Sequence, residues 1–242
     1  TVKNSAGVGI KVSNFAGEVR MTNVISSENV GDGVNIDNSA GTGKVSVTNA
    51  KFNENNNAAA SPTHGITVTS RGAITLDGVS ANRNEGSGII ALNYSGPLTI
   101  KNSVALDNDY PSSASYGMGV FINTTGKGAV LLDNLLVSGS IHTNGIQIDT
   151  AGAVTAKNVI SKNNLYSGMA ISNTLSTAAV KVSNSDFNNN GYHGLSIDAY
   201  GSVTLESIRA MDNTQNGVRI DNCQYSGDRK STRLNSSHRI RS

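Results

Sequence analysis

Two aspartates, an arginine and a histidine near the end of this chain have the types and spacing for chemistry. Asp198 stands four residues after Gly194 and Asp221 four residues after Gly217, with Arg219 on the second of these segments and His193 directly before the first glycine. If the two segments are equivalent strands on neighbouring rungs, their carboxylates lie about 5 Å apart. A pair that close can bind Ca²⁺ or act as an acid and base, which makes Asp198, Asp221, Arg219 and His193 a candidate catalytic group. The plainer reading is a pair of solvated aspartates facing water.

A second candidate is apolar. Ile90, Leu92 and Phe121 fall at positions that should face outward, beside an insertion that carries Tyr110, Pro111 and Tyr116. Such a cluster is either a loop packed down on a sheet or a ligand-binding groove. The histidines outside the tail do not converge: His64, His142 and His193 belong to boundaries several rungs apart, which excludes a shared His metal site. The aromatic residues six positions after a glycine, Phe15, Tyr94 and Tyr200, are too sparse for a continuous sugar platform.

What must position these residues is a repeat. The chain reads as nine coils opening at Gly9, Gly33, Gly65, Gly88, Gly119, Gly145, Gly168, Gly194 and Gly217. The residues one and three places after each glycine are apolar, from Ile10/Val12 to Val218/Ile220, and the residues between them are mostly polar. That alternation is a strand with one buried face. A second strand follows, with inward pairs such as Val45/Val47, Leu98/Ile100 and Val180/Val182.

Two polar columns then recur. The first carries Asn23, Asn49, Asn102, Asn134, Asn158 and Asn184, interrupted by Gly78 and ended by Ser207; the second carries Asn29, Asn55, Asn84, Asn108, Asn164, Asn190 and Asn213, interrupted by Ser140. Asn tolerates left-handed backbone and bonds local backbone groups, and stacked amides can bond one another from coil to coil. Both columns therefore read as structural ladders. Both enlarged coils swell after the second column, one insert running from Asn56 to His64 and the other from Asp109 to Met118.

Three short strands per coil, an interior of Val, Ile and Ala, and asparagine at the bends resemble the right-handed parallel β-helix superfamily. The resemblance covers residues 9–222 and implies an all-β solenoid of about nine coils. Residues 1–227 are expected to form one solenoid, a fragment of a longer one, with residues 1–8 as the tail of a preceding coil. Residues 228–238, Asp228 to His238, resemble the in-frame translation of a common short-read sequencing adapter, so residues 228–242 read as a non-native, disordered tail.

Composition excludes some functions. Five of the 19 basic residues lie in that tail; without residues 228–242 the chain has 14 basic and 16 acidic residues, a net of −2, which removes the support for nucleic-acid binding. Cys223 is the one cysteine, so neither an internal disulfide nor a Cys-based zinc cluster is available. No apolar run is long enough for a membrane span.

The resemblance implies two further readings. Long bacterial surface and adhesin repeats of this style are non-catalytic and extracellular or cell-surface, their partners being further coils of the same chain and extracellular polysaccharide. Pectate lyases and glycoside hydrolases of the superfamily act with acidic residues and a basic partner in a groove, which implies Asp198, Asp221, Arg219 and His193 here. Their clustered Asp-Asp and Gly-His-Gly signatures and dense acidic calcium site are missing, however. The first expectation is thus a structural or adhesive segment; the second is a polysaccharide-active enzyme or a passive glycan-binding surface around the inserts.

Overall fold

The computed structural model describes residues 1–56, 62–108 and 117–222, together with the backbone of 233–235. Strands are the only regular elements among them. The first strand of each coil builds a nine-stranded parallel sheet, from Ile10–Val12 and Val34–Asn38 through Ile146–Thr150 to Leu195–Ala199 and Val218–Asp221. Residues at equal distance from their glycine are register partners: Ile66 pairs with Ile89, Ile89 with Val120, and Met169 with Leu195. The result is an all-β parallel solenoid of about eight turns, its rungs about 4.8 Å apart and the whole on the order of 40 Å long.

The second sheet is also nine-stranded and parallel. In the first coil the second and third legs are separate strands, Val19–Thr22 and Ser26–Ser27. From Val45–Lys51 onward they merge into one strand per coil, as in Leu98–Leu106, Val130–Ser138 and Val154–Lys162. Each merged strand bends at the first asparagine column. All eight residues of that column, Asn23, Asn49, Gly78, Asn102, Asn134, Asn158, Asn184 and Ser207, have φ between 49° and 67°. Left-handed backbone costs most side chains about 1–2 kcal/mol, and Asn and Gly bear it best, so the residue type follows from the bend.

The second column does different work. It is a buried amide ladder: Asn29 Nδ2 donates to Asn55 Oδ1 at 3.0 Å, Asn55 to Asn84 at 2.9 Å and Asn84 to Asn108 at 3.0 Å. Ser140 interrupts the run, which resumes from Asn164 to Asn190 and Asn213 at 3.0 Å each. The same Oδ1 atoms also accept backbone N–H groups, for example that of Asn55 on Asn84 at 3.0 Å. In the first column the one amide-to-amide bond is Asn134 to Asn102 at 2.9 Å, whereas Asn102 and Asn158 donate to Asp77 and Asp133. Its side chains are largely exposed.

Ladder and glycine column require one another. A Cβ on Gly168 would lie 2.7 Å from Asn190 Nδ2 and 2.7 Å from the Gly194 carbonyl, and one on Gly65 would lie 2.8 Å from Asn84 Nδ2. Only a residue without a side chain lets the amide close the turn.

Between the sheets runs a narrow apolar core. The coil opening at Gly145 buries Ile146, Ile148, Val154, Ala156 and Val159, and full burial of a Val or Ile is worth about 1.5–3 kcal/mol. Val159 belongs to an inward position next to the bend that the sequence reading passed over. Ala50, Val79 and Leu135 also fill it, and where it holds serine, Ser103 Oγ accepts Val79 N–H and Ser185 Oγ accepts Val159 N–H, both at 3.1 Å.

Residues 1–8 stack on the third leg of the first coil: Val2 pairs with Ser26, and Ser5 N–H donates to Asn29 Oδ1 at 3.1 Å. Arg233–Asn235 pairs in parallel with Val203–Arg209; the remainder of 228–242 lies outside the described residues, as do Tyr110, Pro111 and Tyr116.

The two asparagine columns should respond differently to mutation. Asn84→Ala strips the acceptor from two buried donors of Asn55 and should cost about 2–4 kcal/mol, whereas Asn134→Gly, which keeps the bend, should cost under about 1 kcal/mol. Denaturant titrations of the two variants read the difference; equal losses would contradict this division.

Candidate functional site

The outer face of the first sheet brings the acidic candidates together. Asp198 and Asp221 are register partners on Leu195–Ala199 and Val218–Asp221. Arg219 lies between them: Nη1 donates to Asp198 Oδ1 at 2.6 Å and to Ser196 Oγ at 3.3 Å, and Nη2 donates to Asp221 Oδ2 at 3.0 Å. The arrangement arises because side chains two residues apart on a strand share a face, so Arg219 neighbours Asp221 along its own strand and Asp198 across the rungs. The hydrogen bond and charge of Asp198, with a smaller contribution from Asp221, raise the guanidinium pKa further above its ordinary value. Where Ca²⁺ would need to sit, a cation of the chain's own already bridges the carboxylates. No group of three or more Asp, Glu, His or Cys suited to a metal occurs among the described residues.

His193, at the bend before the Asp198 strand, is bonded to the backbone of the next coil. It is only 6% exposed, and its Nδ1 accepts the backbone N–H of Asn216 at 3.2 Å. The residue before the glycine plays the same role in four other coils. Asp32 Oδ1 accepts from His64 N–H at 2.8 Å, His64 Nδ1 from Ser87 at 2.9 Å, Ser87 Oγ from Met118 at 3.0 Å, and Asn144 Oδ1 from Ser167 at 2.9 Å. His64 and His193 are thus members of a third stack, in which only acceptor capacity is shared. Burial pushes the pKa of each histidine down; Arg219 adds to this at His193, while Asp198 opposes it there and Asp32 opposes it at His64.

The apolar candidates face outward and are partly covered. Ile90 is the register partner of Phe121, and Leu92 that of Asn123. The aromatic side chains expected beside them are the two undescribed tyrosines, so the structure neither builds nor dissolves that cluster. The described feet of the first insert are pinned instead to the coil wall, through Thr63 Oγ1 donating to the Asn55 carbonyl at 2.8 Å and Gly86 N–H donating to the Thr63 carbonyl at 2.7 Å.

Elsewhere ion pairs join neighbouring coils. On the second sheet Lys101 pairs with Asp77 at 3.2 Å and Lys157 with Asp133 at 3.1 Å. Burial pushes the Asp133 carboxyl up, but hydrogen bonds from Lys157 and Asn158 and the charges of Lys157 and Lys101 outweigh it and leave the pKa low. Sequence reasoning passed over a further feature, Tyr166 and Tyr192, which hold the same place in successive bends and whose backbones are bonded at 3.2 Å. The signal was present, because each follows a ladder asparagine by two residues.

Residues 118–237 match the family model for the right handed beta helix region. Two solved structures are similar to this chain at low identity. The A-module of mannuronan C-5 epimerase AlgE4 from Azotobacter vinelandii is 12% identical, with a TM-score of 0.41 over 88% of this chain and 69% of that one. The AlgE6 A-module from the same organism is 16% identical, with a TM-score of 0.43 over 90% of this chain and 71% of that one. No curated protein matches the chain. No helix among the described residues is long and apolar enough to cross a membrane.

Because desolvation lowers the pKa of both histidines in the folded chain, unfolded chains bind more protons than folded chains between pH 6.5, the ordinary histidine value, and the lower folded pKa. Stability is therefore full above pH 6.5 and falls as the pH drops through that window. Melting temperatures measured across it should decline. The paired change His64→Asn and His193→Asn, which copies the acceptor at Asn144, should flatten the decline; an unchanged slope would show that other groups cause it.

Proposed function

We propose that this chain is a rigid structural segment of a larger extracellular or cell-surface repeat protein, its principal partners being further coils like its own. The observation that carries this reading is the use made of polar side chains. The asparagine ladder, the acceptor stack that contains both His64 and His193, and the Asp–Lys pairs of the second sheet all join one coil to the next. Groups that a catalytic site would need to leave accessible are held: Arg219 is fixed by both carboxylates, and His193 Nδ1 by Asn216. A stack in which each rung bonds its neighbours at many points gives a stiff rod whose stability is a sum of interfaces.

A second reading, a polysaccharide lyase or hydrolase centred on Asp198, Asp221 and Arg219 with His193, draws on the convergence of the two aspartates and the arginine on one face. Incubation of the purified chain with polygalacturonate, pectin and alginate, with and without Ca²⁺, separates the two. The structural reading expects no new reducing ends and no unsaturated-uronate absorbance. Turnover that disappears in Asp198→Ala would replace it with the enzymatic one.

A further inference from the structure

The outer face of the third leg carries an apolar patch that stacking of the coils does not require. In Leu98–Leu106 the residues past the bend alternate, with Ser103 and Ala105 buried and Val104 and Leu106 on the outside. Val104 is the register partner of Leu136, and Leu136 that of Ile160, which is 40% exposed. Successive rungs thus present branched apolar side chains to the outside in one column, with Leu106 beside them. The same column is polar at both ends: Lys51 and Ser80 precede Val104, and Asp186 and Arg209 follow Ile160. Because lysine, serine, aspartate and arginine all serve there, the fold does not demand an apolar residue, and an outward apolar cluster with a polar rim is the form of a protein contact.

We propose that this face pairs with the same face of a second copy of the chain, in an isologous dimer whose two-fold axis runs parallel to the strands and passes between Leu98–Leu106 and Val130–Ser138. An axis in that direction reverses the order of the rungs, so the column meets itself upside down. Val104 then packs against the partner's Leu136. Lys51, two rungs before Val104, meets the partner's Asp186, two rungs beyond Leu136. That ion pair forms twice, once at each end, and closes the apolar centre with opposite charges. Charge also fixes the register. Moved half a rung towards Ile160, the axis would set Lys51 against the partner's Arg209; moved half a rung the other way, it would bury the Lys51 ammonium against the partner's Ile160. The contact from Lys51 to Asp186 runs along roughly 24 Å of the solenoid and is one strand leg wide, which places it among small, dissociable interfaces.

This side-by-side contact does not depend on whether the chain is catalytic, so its failure would leave the structural reading as it stands. Sedimentation of the full chain from the micromolar to the millimolar range should show the average mass rising from one copy towards two. Leu136→Glu, with its β-sheet circular dichroism unchanged, should weaken the association about tenfold or more, since it places a carboxylate in an apolar contact. Exchange of charge tests the orientation. Lys51→Glu alone and Asp186→Lys alone each bring like charges together at both ends and should dimerise about tenfold more weakly than the unaltered chain. An equimolar mixture of those two variants sets opposite charges together at both ends and should recover the original affinity. A chain that stays monomeric throughout would overturn the proposal and leave the face to a different protein. So would a dimer that Leu136→Glu leaves intact, as end-to-end stacking would be, or a mixture no tighter than either variant alone.

Discussion

The constraint behind every feature of this molecule is that each coil must hand its backbone and its buried polar groups to the coil above in the same register. A parallel rung leaves its N–H and C=O groups unsatisfied except through its neighbours, and an unpaired buried group costs about 1–3 kcal/mol. One residue out of step would also turn the apolar face outward. The chain meets both demands by repetition. Ile146 lies between Val120 and Met169, and Ile148 between Ile122 and Ile171, so the interior is a set of columns rather than a jigsaw.

From that constraint the polar columns divide by geometry. Where the backbone must turn left-handed, asparagine is chosen for its conformation and its side chain is exposed. Where the amide is buried, asparagine is chosen because one side chain both donates and accepts, so Asn55 can bond Asn29 on one side and Asn84 on the other. At a third position an acceptor suffices, and Asp32, Ser87, Asn144 and His193 each supply one. Five residues after the glycine a further buried set pins the turn between sheets: Asn93 Nδ2 donates to the Gly72 carbonyl at 2.8 Å, Asn173 Nδ2 to that of Gly152 at 3.1 Å, and the hydroxyls of Thr124 and Thr150 meet at 2.5 Å.

This explains what could be read in advance. The apolar columns and the two asparagine columns were legible because the same residue type recurs at the same offset, and the offset itself encodes the rung. The acceptor stack was not, since Asp, His, Ser and Asn share no pattern in sequence although they share a lone pair in space. For the same reason His193 reads in isolation as a catalytic candidate and in three dimensions as a rung. The pairing of Asp198 with Asp221 followed from register alone. The bridging of both by Arg219 depends on a side-chain conformation that spacing does not specify. Tyr166 and Tyr192 lie on a different bend from Phe15, Tyr94 and Tyr200, so the column six residues after the glycine does not contain them.

If the coils are equivalent units held by register, one can be removed. Deleting residues 145–167 should lay the Met169 strand directly on the Val120 strand and the Asn190 amide beneath Ser140, giving a shorter rod that keeps its β-sheet circular dichroism and still unfolds cooperatively. Deleting half as many residues from the same point should abolish folding, because every later column then changes face. A chain that tolerates the half-coil deletion as well as the whole one would contradict the claim that vertical register holds this structure together.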